Sequence, residues 1–374
     1  MKLAIVQDGL MCKAGGEQVA LLFHKAFPSA PIFTLSYNPE KCFSEFREAD
    51  VRPSWFQLIS NNENVAKRLF FPLGLLAAKT IDVRAYDIIL MSATHCAKYV
   101  RVSPKAKVIC YAHNPFRLAW YPEEYKQYKQ SKGLKRFLFD KIIKTLQIVD
   151  KASIKKINFL ITNSNLVKER LKNIYDNYQG DITVVNPAVQ IDNFNISKNK
   201  RDYFLIVSRL EYYKRVDLVI DAFNELGLPL VIVGKGPLEE GFKTSAKNNI
   251  TFLKDVTTKE LKNIYSEARA FIFPQIEDFG ITALEANASG LPLIAFGKGG
   301  IQETQIPFVD TNVSNCTAIF FKEQSKQAII DAVFLFQKIE SQFCPEFIRN
   351  NAKKYSENQF IATIQKLVQE KSQL

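Results

Sequence analysis

Short runs of β-branched and aromatic residues alternate along this chain with longer stretches whose apolar positions recur every three or four residues, the pattern of repeated βαβ units. In the first half the strand-like runs are KLAIVQ (2–7), PIFTLS (31–36), DIILMS (87–92), KVICYAH (107–113), NFLITN (158–163) and ITVVN (182–186). In the second half they are YFLIVS (203–208), LVIVG (230–234), ITFL (250–253), AFIFP (270–274) and LPLIAF (291–296). Two α/β domains follow, each a doubly wound, Rossmann-like parallel sheet. The polar stretch NPAVQIDNFNISKNKRD (186–202), with Pro187 near its start and little periodicity, suits the connection between them. The boundary is placed at Lys198, giving an N-terminal domain over 1–197 and a C-terminal domain over 198–354. The segment 355–374 carries Phe360, Ile361, Ile364, Leu367 and Val368 at helical spacing with no strand after it, and is expected to pack back on the first domain.

A chain of 374 residues that is 47% hydrophobic can bury two cores of ordinary size, which excludes a disordered protein. The excess of 50 Lys and Arg over 38 Asp and Glu, a net +12, favours anionic partners without choosing among nucleotides, nucleic acid and an acidic membrane surface. The six cysteines show no metal-ligand spacing and read as reduced thiols, so a cytoplasmic setting is expected. Only His24, His95 and His113 are present, in no pattern that builds a zinc site, and no metal or other cofactor is expected. The N-terminal MKLAIVQDGLM is too short an apolar run for a signal peptide, and FFPLGLLAA (70–78) is too short for a membrane span.

The chemistry-bearing residues gather where predicted strands end. In AFIFPQIEDFGITALEANASGLPLIAF (270–296) a strand runs into an acidic, glycine-containing loop and then a helix from about Gly280 to Ala288. Ligands of open α/β sheets bind beyond the carboxyl ends of the strands, and a helix starting there aims free N–H groups and its positive dipole end at a diphosphate. Glu277 in the loop and Glu285 in the helix are then placed to accept hydroxyl hydrogens from a sugar and a ribose. Acids near a helix start also serve simply to complement the dipole, and the pair alone does not choose.

YFLIVSRLEYYKRVDLVIDAF (203–223) repeats the strand, turn and helix with Arg209 and Lys214 as candidate cations for a leaving diphosphate, while Arg215 reads as a helix charge paired to Asp217. In LVIVGKGPLEE (230–240), Gly234 either lets a ligand approach the backbone or makes a tight turn, and Lys254 and Asp255 after the next strand are placed to flank a base. In the first half, Gly15 and Gly16 lie between the first strand and first helix, and His113 ends a strand at the same edge. The stretch 131–156 sets Leu134, Phe137, Leu138, Ile142, Leu146 and Val149 at helical spacing, and residues 132–156 hold eight basic against two acidic residues. Such a helix either packs on its own sheet or rests on anionic lipid. Its basic residues are not interleaved with stacking aromatics on a strand face, which argues against nucleic acid.

Together these segments resemble retaining glycosyltransferases of family 4 with the GT-B fold, especially bacterial mannosyltransferases of O-antigen and related lipopolysaccharide synthesis. The resemblance rests on GGEQV, YAHNPFRLAW, DKASIKKINFLITNS, NPAVQIDNF, SRLEYYKRVDLVIDAF, LVIVGKGP and EDFGITALE continuing into ASGLPLIAFGKGG, in this order and spacing. It implies two domains facing across a cleft, an acceptor bound on the N-terminal side, and metal-independent transfer of a hexose from a nucleotide sugar with retention of configuration. Residue by residue it implies Arg209 and Lys214 for the diphosphate, Glu277 for the sugar, and Glu285 for the ribose. It also implies Phe279, Gly280 and Ile281 as the backbone meeting phosphate and sugar, His113 beside the transferred sugar, and Gly15 and Gly16 as a glycine loop. GDP-mannose is the first donor expected, with UDP-sugars open, and a lipid-linked oligosaccharide at the inner face of the cytoplasmic membrane is the acceptor expected. An epimerase or phosphorylase on the same fold, and a non-catalytic binder of anionic ligands, are the competing readings. The Lys254 position departs from the family's usual glycine, which bears on base recognition.

Overall fold

The computed structural model describes residues 1–60, 65, 69–199, 201–310 and 313–373. Its strands in the first half are β1 Leu3–Gln7, β2 Ile32–Thr34, β3 Val51–Pro53, β4 Ile88–Ala93, β5 Lys107–Ala112, β6 Phe159–Thr162 and β7 Ile182–Val184. Those in the second half are β8 Phe204–Val207, β9 Leu230–Val233, β10 Ile250–Leu253, β11 Phe271–Phe273, β12 Leu293–Phe296 and β13 Ala318–Phe321. The first seven form one sheet in the order β3-β2-β1-β4-β5-β6-β7, and the rest form a second in the order β10-β9-β8-β11-β12-β13. The pairings between these neighbours are parallel. Strand order therefore reverses between β1 and β4 in the first sheet and between β8 and β11 in the second, the points where loops from neighbouring strands diverge and leave room for a ligand.

The period of two along each strand divides its side chains between two cores. In the second sheet Phe204, Ile206, Ile272 and Ile294 face one cluster, which includes Val219 and Phe223 of the helix Val216–Leu226 and Ile329 and Val333 of the helix Lys326–Ile339. Leu205, Phe271, Phe273, Leu293 and Ala295 face the other, against Ala283, Leu284 and Ala286 of the helix Ile281–Ala288. Both faces are thus covered, as a parallel sheet requires. Helix starts are fixed locally: Thr257 and Glu260 form a reciprocal capping box at Thr258–Glu267, and Ser325 accepts from the amide of Ala328.

All eleven strands read from the hydrophobic pattern are present, and β3 and β13 extend the sheets beyond them. β3 is an edge strand reading Val-Arg-Pro, with too little apolar character to register, and the four-residue run of β13 cannot be told from a buried helical segment by periodicity.

The chain divides into two compact units, Met1–Asn186 with Phe360–Leu374, and Pro187–Gln359. The division falls earlier than the Lys198 boundary because Val189, Ile191 and Phe194, three apolar residues scattered in a polar stretch, are buried in the second unit's core. Arg349 further ties this segment down by donating to the carbonyls of Ile191 (3.3 Å) and Phe194 (2.5 Å). In the helix Glu357–Ser372, Phe360 stacks on Phe23 at 6.2 Å between ring centres, and Gln365 donates to the Ala26 carbonyl at 3.0 Å.

The long helix Gly133–Ile154 is divided along its length. Its second half buries Ile143, Leu146, Asp150 and Ile154, whereas Leu134, Phe137 and Leu138 of its first half are exposed. Asp150, fully buried, pairs with the equally buried Lys98 and accepts from Tyr175 Oη (2.6 Å) and Trp120 Nε1 (2.8 Å). A buried charge that loses its partner keeps its full desolvation cost. Asp150→Ala is therefore expected to destabilise the protein by about 3–5 kcal/mol in urea unfolding, measured as a lower midpoint at unchanged slope.

Candidate active site

The carboxyl edge of the second sheet assembles residues from five loops. Beyond β8 the chain turns through Arg209 and a short 3-10 turn, Tyr212–Lys214, before the helix Val216–Leu226. Arg215 takes up the left-handed conformation at that helix start (φ 52°) and pairs with Asp217 at 3.4 Å, a local contact apart from the site. Lys214 is buried and its ammonium forms an ion pair with Glu277, which follows β11. These two side chains come from the pair of strands between which the strand order reverses, so the switch point is closed by one cation and one carboxylate. Gln275 donates to the same Glu277 oxygen at 3.1 Å. Arg209 donates to Tyr213 Oη, and the Tyr213 ring lies 5.9 Å from the Arg209 guanidinium and 5.2 Å from Lys214 Nζ. One aromatic side chain thus holds both cations at the same edge.

The loop carrying Glu277 is shaped by glycines on both sides. Gly280 has φ 94°, a conformation that costs other residues, and it sets the start of the helix Ile281–Ala288. The Gly280 carbonyl accepts from Ala283 at 3.1 Å, so the intrahelical bonds begin there, with Phe279 buried immediately before and Ile281 the first helical residue. After β12, the Gly300 amide donates to the Glu277 carbonyl at 2.8 Å. A Cβ at Gly299 would stand 2.8 Å from that carbonyl oxygen, and one at Gly300 only 2.2 Å from the carbonyl oxygen of Asp278. Neither position has room for a side chain while Glu277 stays where it is.

Glu285, on the second turn of that helix, is partly buried and accepts from Tyr265 Oη at 3.0 Å. Burial pushes its carboxyl up to about 7, with the Tyr265 hydrogen bond acting in the opposite direction. Gly234 packs against the β8 turn: a Cβ there would lie 1.9 Å from the Ser208 carbonyl oxygen. Its role in the fold is thus close contact between two loops. Lys254 and Asp255 follow β10 and are exposed, and Asp255 pairs with Lys235 at 3.1 Å.

In the first unit, Gly15 opens the helix Gly15–Ala26 and Gly16 stands close to His113, whose Nε2 would be 3.8 Å from a Cβ placed on Gly16. Ser92 Oγ lies 2.8 Å from His113 Nε2 and 3.3 Å from the Gly16 carbonyl oxygen. Burial lowers the His113 pKa to about 4, against a smaller opposing effect of Asp8, so the imidazole is neutral at neutral pH. At the reversal point of this sheet Asp8, after β1, accepts from the amides of Thr94 (2.6 Å), His95 (3.0 Å) and Ala97 (2.7 Å) and from His95 Nδ1 (2.8 Å).

The sequence pattern singles out Glu277, Glu285, Arg209 and Lys214 separately; the structure brings Lys214 to Glu277 and both cations to Tyr213. Gln275, Tyr213, Tyr265, Asp8 and His95 escape the sequence reading because their significance lies in partners far along the chain. The GKGG run was a visible signal for the bracket around Glu277.

These two doubly wound parallel sheets define a protein of the GT-B fold. The sucrose-phosphate synthase of Thermosynechococcus elongatus superposes with a TM-score of 0.74 at 16% identity, covering 99% of this chain and 98% of that one. HepE of Anabaena in complex with UDP superposes with a TM-score of 0.68 at 15% identity, covering 99% and 100%. In sequence, residues 189–370, most of them in the second unit, match the family model described as Glycosyl transferases group 1. The O-antigen chain mannosyltransferase RfbU of Salmonella typhimurium is 29% identical over 157 residues, a match covering 38% of this chain and 43% of that relative's length.

The raised Glu285 pKa has a definite sign for stability. With its folded value near 7 above the ordinary 4.5, the folded state binds more protons than the unfolded state between these values, so stability falls as pH rises through that window. Glu285→Gln is expected to remove this fall, giving a melting temperature at pH 8 a few degrees above the parent protein and little difference at pH 4, measured by thermal unfolding across pH.

Proposed function

We propose that this chain is a hexosyltransferase that moves a sugar from a nucleotide donor to a hydroxyl group, with retention of configuration and without a divalent metal. The observation that carries the reading is the Lys214–Glu277 pair at the switch point of the second sheet, flanked by Arg209 and the start of the helix Ile281–Ala288. A diphosphate entering there takes Lys214 and Arg209 as its counter-charges and the first amides of the helix, around Gly280 and Ile281, as donors. Glu277, released from Lys214, accepts hydroxyl hydrogens of the sugar, and Glu285 those of the ribose.

In the transfer step the bond between the anomeric carbon and the diphosphate oxygen breaks, and negative charge grows on the phosphate beside the two cations. The acceptor hydroxyl attacks on the same face and its proton passes to the departing phosphate oxygen. Neutral His113 serves as a hydrogen-bonding partner near the transferred sugar, beside Gly15 and Gly16. The leading donor is GDP-mannose, supported by the likeness to an O-antigen chain mannosyltransferase. The UDP in HepE favours a UDP-sugar as the competing donor.

The acceptor is a lipid-linked oligosaccharide of surface polysaccharide synthesis at the cytoplasmic face of the membrane. Support comes from the exposed Leu134, Phe137 and Leu138 among the lysines of helix 133–154. Among the described residues no helix is long and apolar enough to cross a membrane, so contact through this helix is peripheral.

The test is transfer of labelled sugar from nucleotide donors into lipid extracted from bacterial membranes. Acceptor-dependent incorporation is expected, unchanged by EDTA, with Glu277→Ala lowering kcat by about a hundredfold or more while circular dichroism still shows the folded protein, at a lower melting temperature because Lys214 loses its partner. Wild-type turnover in Glu277→Ala would overturn the site, and donor conversion that needs no acceptor would replace the transferase with an epimerase.

A further inference from the structure

At the carboxyl edge of the first sheet, one buried hydroxyl makes two contacts that a single arrangement of hydrogens satisfies. Ser92 lies on β4, in register with Gln7 of β1 on one side and Tyr111 of β5 on the other. Residues two apart on an extended chain share a face, so His113, just past the end of β5, continues the face of Tyr111, and the two rings lie 5.1 Å apart. Gly15 and Gly16, at the start of the helix Gly15–Ala26, lie against this face, with the Gly16 carbonyl oxygen 3.3 Å from Ser92 Oγ.

The backbone of His113 is anchored to both neighbouring strands. Its amide donates to the Ala93 carbonyl at 3.0 Å, and its carbonyl accepts from Asn163 Nδ2 at 3.0 Å. What the backbone leaves open is the ring. Among the described residues, Ser92 Oγ, 2.8 Å from Nε2, is the side-chain atom hydrogen-bonded to the imidazole, and Nδ1 has no partner.

Counting hydrogens decides which nitrogen carries the ring proton. Ser92 is fully buried, so its hydroxyl depends on partners within the protein. A hydroxyl has one hydrogen to give, and a carbonyl oxygen only accepts. Were that hydrogen turned to Nε2, the Ser92 and Gly16 oxygens would face each other at 3.3 Å with nothing between them. Both contacts are hydrogen bonds only when Ser92 donates to Gly16 and the ring donates its Nε2 hydrogen to Ser92. Burial keeps the imidazole neutral, with one N–H, so Nδ1 is left as a bare acceptor. Such a nitrogen repels a phosphate oxygen, which likewise offers only lone pairs, and attracts a hydroxyl group. Resting on the glycosyltransferase reading above, we infer that Ser92 is a positioning residue: it fixes the ring hydrogen of His113 on Nε2, so that Nδ1 accepts from a hydroxyl of the transferred sugar and turns the diphosphate away. The Gly16 carbonyl completes the chain and ties the glycine loop to the same hydroxyl.

The chain has three histidines, so long-range proton–nitrogen NMR correlations of the full chain carrying nitrogen-15 histidine read each ring separately, His113 being the signal lost in His113→Asn. At pH 7 the parent protein is expected to show the His113 proton on Nε2. Ser92→Ala is expected to let Nδ1–H appear and to lower kcat in the labelled-sugar assay by about tenfold, with a smaller change in the KM for the donor. A ring proton on Nδ1 in the parent protein overturns the assignment without any variant having to fold. So does a Ser92→Ala protein that keeps either the parent tautomer or the parent kcat, and in these cases transfer by the parent protein leaves the glycosyltransferase reading standing. No transfer by the parent protein, with the proton on Nε2 as expected, overturns that reading and leaves Ser92 as the residue that fixes the ring hydrogen.

Discussion

The ion pair between Lys214 and Glu277 governs the organisation of the second unit's carboxyl edge. It joins the turns after β8 and β11 across the point where the sheet's strand order reverses. Left alone, a largely buried Lys214 would carry the desolvation cost of its charge, so its position beside the switch point depends on a neighbouring anion. Glu277 supplies that anion within the chain. In the reaction proposed above, a diphosphate, with more charge and more acceptor oxygens, takes the place of the carboxylate on the lysine. On that proposal the pair with Glu277 keeps Lys214 in place for an anion.

The first sheet uses the same topological opportunity differently. Asp8 after β1 reaches the loop after β4, but its carboxylate is taken up by three amides and the His95 ring. Burial works against its charge, yet His95 and the amides of Ala97 and Thr94 outweigh that and hold the carboxyl well below the usual range. Four donors hold the Asp8 carboxylate, whereas Glu277 takes the Lys214 ammonium and the Gln275 amide. At the next strand end, burial keeps His113 neutral beside Ser92 and Gly16.

Much of the architecture was legible in residue order because parallel strands buried on both faces write themselves as apolar runs, and helices between them repeat every three to four residues. The edge strand β3 does not, since its Arg52 and Pro53 are exposed. The start of the second unit was hidden for a related reason: Val189, Ile191 and Phe194 are spaced among polar residues with no regular period, and only three-dimensional packing reveals that they belong to its core. At the candidate site, residue types and their distance from strand ends pointed to Glu277, Glu285, Arg209 and Lys214. What sequence could not convey was pairing. Lys214 and Glu277 lie on different βα units, and the hydroxyl that meets Glu285 comes from Tyr265, buried on the preceding helix.

The glycines explain why these pairings hold their geometry. Gly299 and Gly300 bring the turn after β12 against the backbone of Glu277, and Gly234 and Gly236 bring the turn after β9 against Ser208 and Leu210. In both places the missing side chain is filled by a carbonyl of the neighbouring loop, so that successive strand ends become one continuous surface. The backbone of residues between such contacts, Lys235 among them, is held in place by its neighbours. Lys235, Lys254 and Asp255 stand on this edge as exposed side chains, so the close backbone contacts beneath them do not depend on their identity.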